Sequence, residues 1–173
     1  VIITGGIDLS IGTSMTLCAV MVGKIVVIQN LPVWLGILGG IVTGALVGTV
    51  NGILITILKL PPFIATLATM KAAQGLALIT SHLAPIHFSG SQADHWTQLA
   101  QGNIIPNLPN AVLILLGAAV IASIILNRTI IGRYTFAIGS NMEATKLSGV
   151  KVNRWLIIIY TICGAFEIGR AHV

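Results

Sequence analysis

The chain has 173 residues, of which 55% are hydrophobic and 8% are charged, and its mean hydropathy is +1.00. Soluble domains carry about 25% charged residues, so this composition excludes a soluble domain and predicts a membrane protein. The 19 glycines and the low aromatic content of 5% favour closely packed helices over a transmembrane barrel. We therefore expect an all-α fold, a polytopic transmembrane helical bundle.

Five apolar segments have the character of membrane spans. A bilayer core about 30 Å thick requires about 20 apolar helical residues. The candidate spans are residues 11–29, 34–58, 60–81, 110–126 and 155–166, the last of which is expected to be the start of a span that the fragment cuts off. Residues 1–6 are expected to be the end of an earlier helix.

The stretch ITGGIDLSIG, residues 3–12, places an acid beside paired glycines ahead of the first span. The glycine pair can end one helix, and Asp8 or Ser10 can cap the next. Gly12 permits close packing. Two functional alternatives stay open, namely direct contact with a transported solute and proton carriage by Asp8 as an intramembrane acid.

The second span contains a glycine at every fourth position. Residues four apart share one face of a helix, so this face is bare backbone and lets another helix approach closely. We favour helix packing over a direct lining of a transport path. The five glycines are Gly36, Gly40, Gly44, Gly48 and Gly52.

Loop charges predict the topology. The connection 82–109 contains no Lys or Arg, whereas the connection 127–154 contains five. The positive-inside rule therefore places 127–154 and the turn at Lys59 in the cytoplasm and the other turns outside. The net charge of +5 is explained by this topology and requires no nucleic-acid partner.

The outer connection 82–109 contains three histidines and one aspartate. Their spacing matches no ordered set of metal ligands, so we expect a solvated loop and no metal site. Trp96 is expected at the level of the lipid headgroups. The four candidate ligands are His82, His87, Asp94 and His95.

The stretch NMEATKLSG, residues 141–149, reads as a short helix with both ends marked. Asn141 is a good N-cap, and Glu143 lies in the first turn, where the helix dipole favours an acid. Lys146 lies near the end, and Gly149 follows the last turn. Such a helix suits docking into a groove of another protein, or it rests on the headgroups.

Three blocks of the sequence resemble the permease subunits of bacterial ribose/xylose/galactose-type sugar ABC importers. The block GRYTFAIGSNMEATKLSG matches that family at Gly132, Arg133, Tyr134, Gly139, Asn141, Glu143, Ala144, Leu147, Ser148 and Gly149. TGGIDLSIG matches at Gly6, Ile7, Asp8, Leu9, Ser10 and Gly12, and LPPFIATLATM matches at Pro61 through Leu67, Thr69 and Met70. Thr145 departs mildly from the family, in which an alanine is common.

The resemblance implies that residues 1–166 are a fragment of a single transmembrane permease domain, a multi-pass protein of the bacterial inner membrane. Its partners would be an ABC ATPase subunit, a periplasmic sugar-binding protein, a second permease copy and membrane lipid. The chain itself would be no enzyme and would bind no cofactor, because the partner ATPase uses the ATP. This fits the absence of a GxxxxGK[ST] motif from the sequence.

The resemblance also assigns roles to matching residues. The loop 132–155 would couple the permease to its ATPase through Arg133, Gly139, Asn141, Glu143, Ala144, Leu147, Ser148 and Gly149. A translocation path or family signature would include Gly6, Asp8, Ser10, Asn51, Pro62, Phe63 and Thr66. The expected substrate is a ribose-like monosaccharide.

Two other functions remain as alternatives. One is an ion- or proton-coupled secondary transporter, in which Asp8 carries the proton and GGIDLSIG forms a broken helix. The other is an ABC permease for branched-chain amino acids. Residues 167–173, EIGRAHV, are expected to be a non-native tail, because they translate the adapter-like sequence GAG ATC GGA AGA GCA CAC GTC.

Overall fold

The computed structural model describes residues 1–84 and 110–167. Within these residues every regular element is helical, which confirms the predicted all-α fold. In chain order the elements are a 3-10 turn at Ile2–Thr4, α1 at Ile11–Gly23 with a π-helical continuation at Lys24–Ile28, α2 at Val33–Thr56, α3 at Pro62–Thr80, α4 at Asn110–Arg128, α5 at Ile130–Ser140, α6 at Met142–Leu147 and α7 at Val152–Ala165.

Four of the described segments are long and apolar enough to cross a membrane, namely Ile11–Ile28, Val33–Thr56, Pro62–Thr80 and Asn110–Arg128. Helix α7 is apolar but shorter, with 14 residues. The polytopic bundle is therefore confirmed, and the helices begin and end within a few residues of the predicted positions. Helix α3 begins at Pro62 because the first turn of a helix does not need the N–H that proline lacks.

Helix α2 lies at the centre of the described bundle and packs against α1, α3 and α7. Its five regularly spaced glycines are all buried. A Cβ atom at Gly52 would lie 2.7 Å from the Cα atom of Ile157 in α7, and Gly44 faces Gly164 of the same helix. The two backbones thus approach more closely than a side chain would permit.

The opposite face of α2 is apolar and exposed. It carries large side chains at four-residue spacing, among them Leu38, Val42 and Leu46. An outward stripe of this composition is suited to contact with lipid chains.

Helix α5 is the main element that the sequence did not predict. Glycines at its two ends, Gly132 and Gly139, disfavour a helix by intrinsic propensity. Tertiary packing overrides that preference, because Gly132 lies against the Leu126 carbonyl and Gly139 against the Ile3 carbonyl. On the same helix, Ile138 joins a core cluster with residues of α7. The connection 127–154, which the charges predict to be cytoplasmic, is therefore largely helical.

Several predicted features lie outside the described residues. These are the three candidate ligands His87, Asp94 and His95, the membrane anchor Trp96, and residues 168–173 of the expected tail.

Candidate functional site

The loop 5–10 crosses the space between the 3-10 turn and α1. Gly5 ends the turn in the left-handed conformation, with φ of 75°, and its N–H donates to the Ile2 carbonyl. The loop then continues without regular structure to Ser10, the N-cap of α1. Such a segment has no internal backbone ladder, so its polar groups depend on side chains from other helices.

A chain of hydrogen bonds joins this loop to α2 and α3. The Ser10 N–H and hydroxyl both donate to Asp8 Oδ1, at 2.9 and 2.6 Å. The Asn51 side-chain amide donates to Ser10 Oγ at 2.8 Å, and Thr69 Oγ1 donates to Asn51 Oδ1 at 2.5 Å. Ser10 and Asn51 are 0% and 1% exposed. We call these four residues, Asp8, Ser10, Asn51 and Thr69, the buried polar chain.

Thr66 of α3 holds the backbone of the same loop. Its hydroxyl accepts from the Leu9 N–H at 3.2 Å and lies 2.8 Å from the Pro62 carbonyl and 3.2 Å from the Ile7 carbonyl. Thr66 itself is fully buried. One threonine therefore holds the irregular backbone on both sides of Asp8.

These contacts bring together four of the predicted site residues, namely Asp8, Ser10, Asn51 and Thr66. The capping, however, differs from the prediction. The Ser10 side chain caps no N–H of α1, because its hydroxyl is bonded to Asp8 and Asn51. The predicted close packing at Gly12 is not seen among the described residues, where Gly12 is exposed and no atom lies within 4 Å of a Cβ placed on it.

The other members of the predicted set occupy different positions. Gly6 is buried beneath the Tyr160 ring of α7, whose hydroxyl occupies the place where a Cβ atom would stand. Pro62 begins α3, and Phe63 points outward with 51% exposure, away from the buried polar chain. Tyr160 was not predicted. Its hydroxyl is buried without a hydrogen-bond partner among the described residues.

A cavity of about 800 Å³ lies beside the loop. Its walls come from the 3-10 turn, the loop, the start of α1, α4, α5 and α7, and they are mostly apolar. Asp8 and Thr135 are among the polar residues that line it. Asp8 thus joins the buried polar chain on one side and borders this cavity on the other.

The short helix α6 lies between α5 and α7. Asn141 is its N-cap, with Oδ1 accepting from the Ala144 N–H at 2.9 Å. Glu143 Oε1 accepts from Lys146 Nζ at 2.9 Å, and Gly149 follows the helix with φ of 81°. These observations agree with the end signals read from the sequence.

One side of α6 is bonded to the bundle, and the other is open. Thr145 is buried, and its hydroxyl lies 2.9 Å from the Ala137 carbonyl of α5 and 2.8 Å from the Asn141 carbonyl. In contrast, Leu147 is 90% exposed, and Ala144 and Ser148 are exposed with it. The open side of the helix therefore ends in an exposed apolar residue, Leu147.

The remaining predicted coupling residues lie on α5. Arg133 is exposed, whereas Gly139 touches the 3-10 turn at the Ile3 carbonyl. The neighbouring ring of Tyr134 contacts that of Trp155 in α7, with centroids 4.6 Å apart. A continuous set of contacts thus runs from α6 through α5 to the start of the loop 5–10.

Comparison with known proteins places these features in a family. The family model described as "branched-chain amino acid transport system / permease component" matches residues 1–166. The chain is 40% identical over 164 residues to the ribose import permease protein RbsC of Bacillus subtilis, covering 95% of this chain and 50% of that protein.

Two further relatives are similar at the same scale. The fructose import permease protein FrcC of Rhizobium meliloti is 36% identical over 170 residues, which cover 95% of this chain and 47% of FrcC. The L-arabinose transport system permease protein AraH of Escherichia coli is 36% identical over 161 residues, which cover 93% and 48%. The chain spans about half the length of these relatives. No solved structure matches significantly.

Proposed function

Because this chain belongs to the family of branched-chain amino acid transport system permease components, we propose that it is part of the membrane-spanning subunit of an ATP-driven ABC importer. It moves a ribose-like monosaccharide into the cytoplasm across the bacterial inner membrane. Its partners are an ABC ATPase, a periplasmic sugar-binding protein and a second permease copy. Two relatives are named as import permeases for ribose and fructose, and a third as a transport-system permease for L-arabinose. These names support a monosaccharide as the substrate class.

The observation that carries the proposal is the way in which α6 is held. Its bonded side is tied to α5 through Thr145, and its open side presents Leu147 at 90% exposure. A helix fixed on one face and free on the other can dock into a groove of a partner and transmit that partner's movement. The ATPase is the partner that this arrangement suits.

In the proposed mechanism, closure of the ATPases displaces α6 and with it α5. Helix α5 then acts on the 3-10 turn, where Gly139 touches Ile3. The loop 5–10 and the buried polar chain connect that turn to α2 and α3. The movement reaches the spans as a rigid-body change between outward- and inward-facing states.

Reconstitution of the complete protein that contains this sequence tests the proposal. We would combine it with an ABC ATPase and binding protein from the same source and measure uptake of labelled ribose, fructose and arabinose into liposomes. We expect uptake that requires ATP and is insensitive to ionophores. Uptake driven by an ion gradient without ATP would instead establish the secondary transporter.

The family description supports one further candidate, a permease for branched-chain amino acids. Labelled leucine in the same assay distinguishes it. Leucine uptake without monosaccharide uptake would replace the proposed substrate and leave the ATP-driven mechanism intact.

A further inference from the structure

Lys71 lies at the midpoint of a membrane-spanning helix. Helix α3 runs from Pro62 to Thr80, so nine positions separate Lys71 from each end. At about 1.5 Å per residue, this places its Cα atom about 13.5 Å from either end of the helix. Among the described spans, α3 alone carries a charged residue at its midpoint.

The side chain of Lys71 points away from the bundle. The face of α3 that packs against α1 and α2 carries small buried residues, including Ala65, Thr69 and Ala73. Lys71 and Gln74 are both exposed and lie on the other face, one turn apart. Within residues 1–84 and 110–167, Lys71 makes no hydrogen bond or ion pair.

Lipid is a poor environment for the ammonium group of Lys71. An ammonium group near the bilayer centre is costly, and intramembrane cations face the protein interior or a water-filled cavity. From the middle of the span, the stem of a lysine carries its charge only part of the way to the headgroups. The same face of α3 also carries the exposed apolar side chains of Ile64, Leu67 and Leu78, so Lys71 and Gln74 form a polar patch within it.

We propose that the Lys71–Gln74 face of α3 lines the aqueous pathway of the transporter and that both side chains hydrogen-bond the hydroxyl groups of a neutral monosaccharide. This inference rests on the proposed function and names the residues that meet its substrate. A lysine offers three donors, and a glutamine amide offers donors and an acceptor, so the pair matches hydroxyls, which both donate and accept.

Cysteine accessibility in the complete transporter tests the proposal. In a background with Cys18→Ala, Cys163→Ala and no other cysteine, single cysteines replace Lys71 or Gln74. Matched controls replace Val42 or Leu46, which are 55% and 61% exposed on the apolar face of α2. The probe is a charged, membrane-impermeant methanethiosulfonate, applied with and without saturating sugar.

We expect the cysteines on α3 to react at least tenfold faster than those on α2, and the sugar to slow that reaction several-fold. Equal rates at all four positions would overturn the proposal. That result would mean that the face contacts lipid or is buried, with Lys71 paired to an acid elsewhere in the longer protein. Fast labelling that sugar does not slow would overturn the substrate contact. Because Gln74→Cys retains Lys71, it remains informative where Lys71→Cys does not fold.

Uptake by two further variants separates this inference from the proposed function. We expect Lys71→Leu to raise KM for the sugar at least tenfold, and Lys71→Gln, which keeps a donor, to raise it less. If the unchanged transporter shows no ATP-dependent uptake, the proposed function fails, and labelling still decides whether the face meets water. If uptake is normal but labelling at position 71 equals that at 42, this inference alone fails.

Discussion

Among the four residues of the buried polar chain, Asn51 should contribute most to the free energy of unfolding. It joins the loop 5–10 to α3, because its amide donates to Ser10 and its carbonyl oxygen accepts from Thr69, at 2.8 and 2.5 Å. Asn51→Leu keeps the number and the branching of the side-chain heavy atoms and removes both bonds, but its methyl groups are bulkier than the amide. The double-mutant cycle below separates the lost hydrogen bond from this change in packing.

The expected cost follows from what remains bonded. A net hydrogen bond is worth about 0.5–1.5 kcal/mol in proteins, and about 0.6 kcal/mol on average between membrane helices. The Ser10 hydroxyl still donates to Asp8, and Thr69 still has the Ala65 carbonyl at 3.2 Å. Neither partner is left without an acceptor, so we expect the two lost bonds to cost about 1–2 kcal/mol, to which the bulkier methyl groups add a packing cost.

Reversible unfolding of the complete protein in mixed detergent micelles measures this cost. Asn127→Leu is the matched control, because Asn127 is exposed and, within the described part of the chain, its side chain bonds only to Ser123 of its own helix. A double-mutant cycle with Thr69→Val isolates the Asn51–Thr69 bond, for which we expect a coupling free energy of about 0.5–1.5 kcal/mol. A cost no larger than that of Asn127→Leu, together with zero coupling, would refute the reasoning.

Three further predictions concern packing and coupling. Gly48→Val should destabilise the bundle by about 3 kcal/mol, because its Cβ atom would overlap the backbone of α7. Thermal unfolding measures this cost. The control is Gly12→Val, whose side chain enters open space among the described residues and should cost far less. Thr145→Val should loosen α6, which amide hydrogen exchange would detect as faster exchange across 142–147, and unchanged exchange would contradict the anchoring role. Gly149→Trp should lower ATP-driven uptake at least tenfold while ATP hydrolysis and membrane insertion persist, and normal uptake would reject the proposed coupling through α6.

Features set by local chemistry were predictable from the sequence. Hydropathy located the spans, because about 20 apolar residues in a row have few other stable arrangements. The four-residue spacing of the α2 glycines indicated a packing face, and the structure places α7 against it. The ends of α6 followed from Asn141 and Gly149, whose preferences act within one turn.

Features that depend on distant contacts were not predictable. Asp8, Ser10, Asn51 and Thr66 were each identified as candidates, but their mutual bonding requires the arrangement of α2 and α3 around the loop. The position of Tyr160 over Gly6 has no local signal. Helix α5 was missed because its glycines argue against a helix, and their close backbone contacts exist only after folding.

Thr145 shows how a departure from a family pattern can mislead. An alanine is common at this position in the resembling family, so the threonine was interpreted as a mild exception. In the structure its hydroxyl joins α6 to the Ala137 carbonyl of α5. A residue that looked incidental in the pattern is thus the main polar tie between the two helices.

The bonding of the loop 5–10 also dictates an order of events during biosynthesis. Ser10 leaves the ribosome 41 residues before Asn51, and Leu9 leaves it 57 residues before Thr66. At synthesis rates of about 5–20 residues/s, the loop therefore waits roughly 3–11 s for its last partner. During that interval its polar groups need water or the insertion machinery, so the loop can settle among the helices only after α3 has been delivered to the membrane.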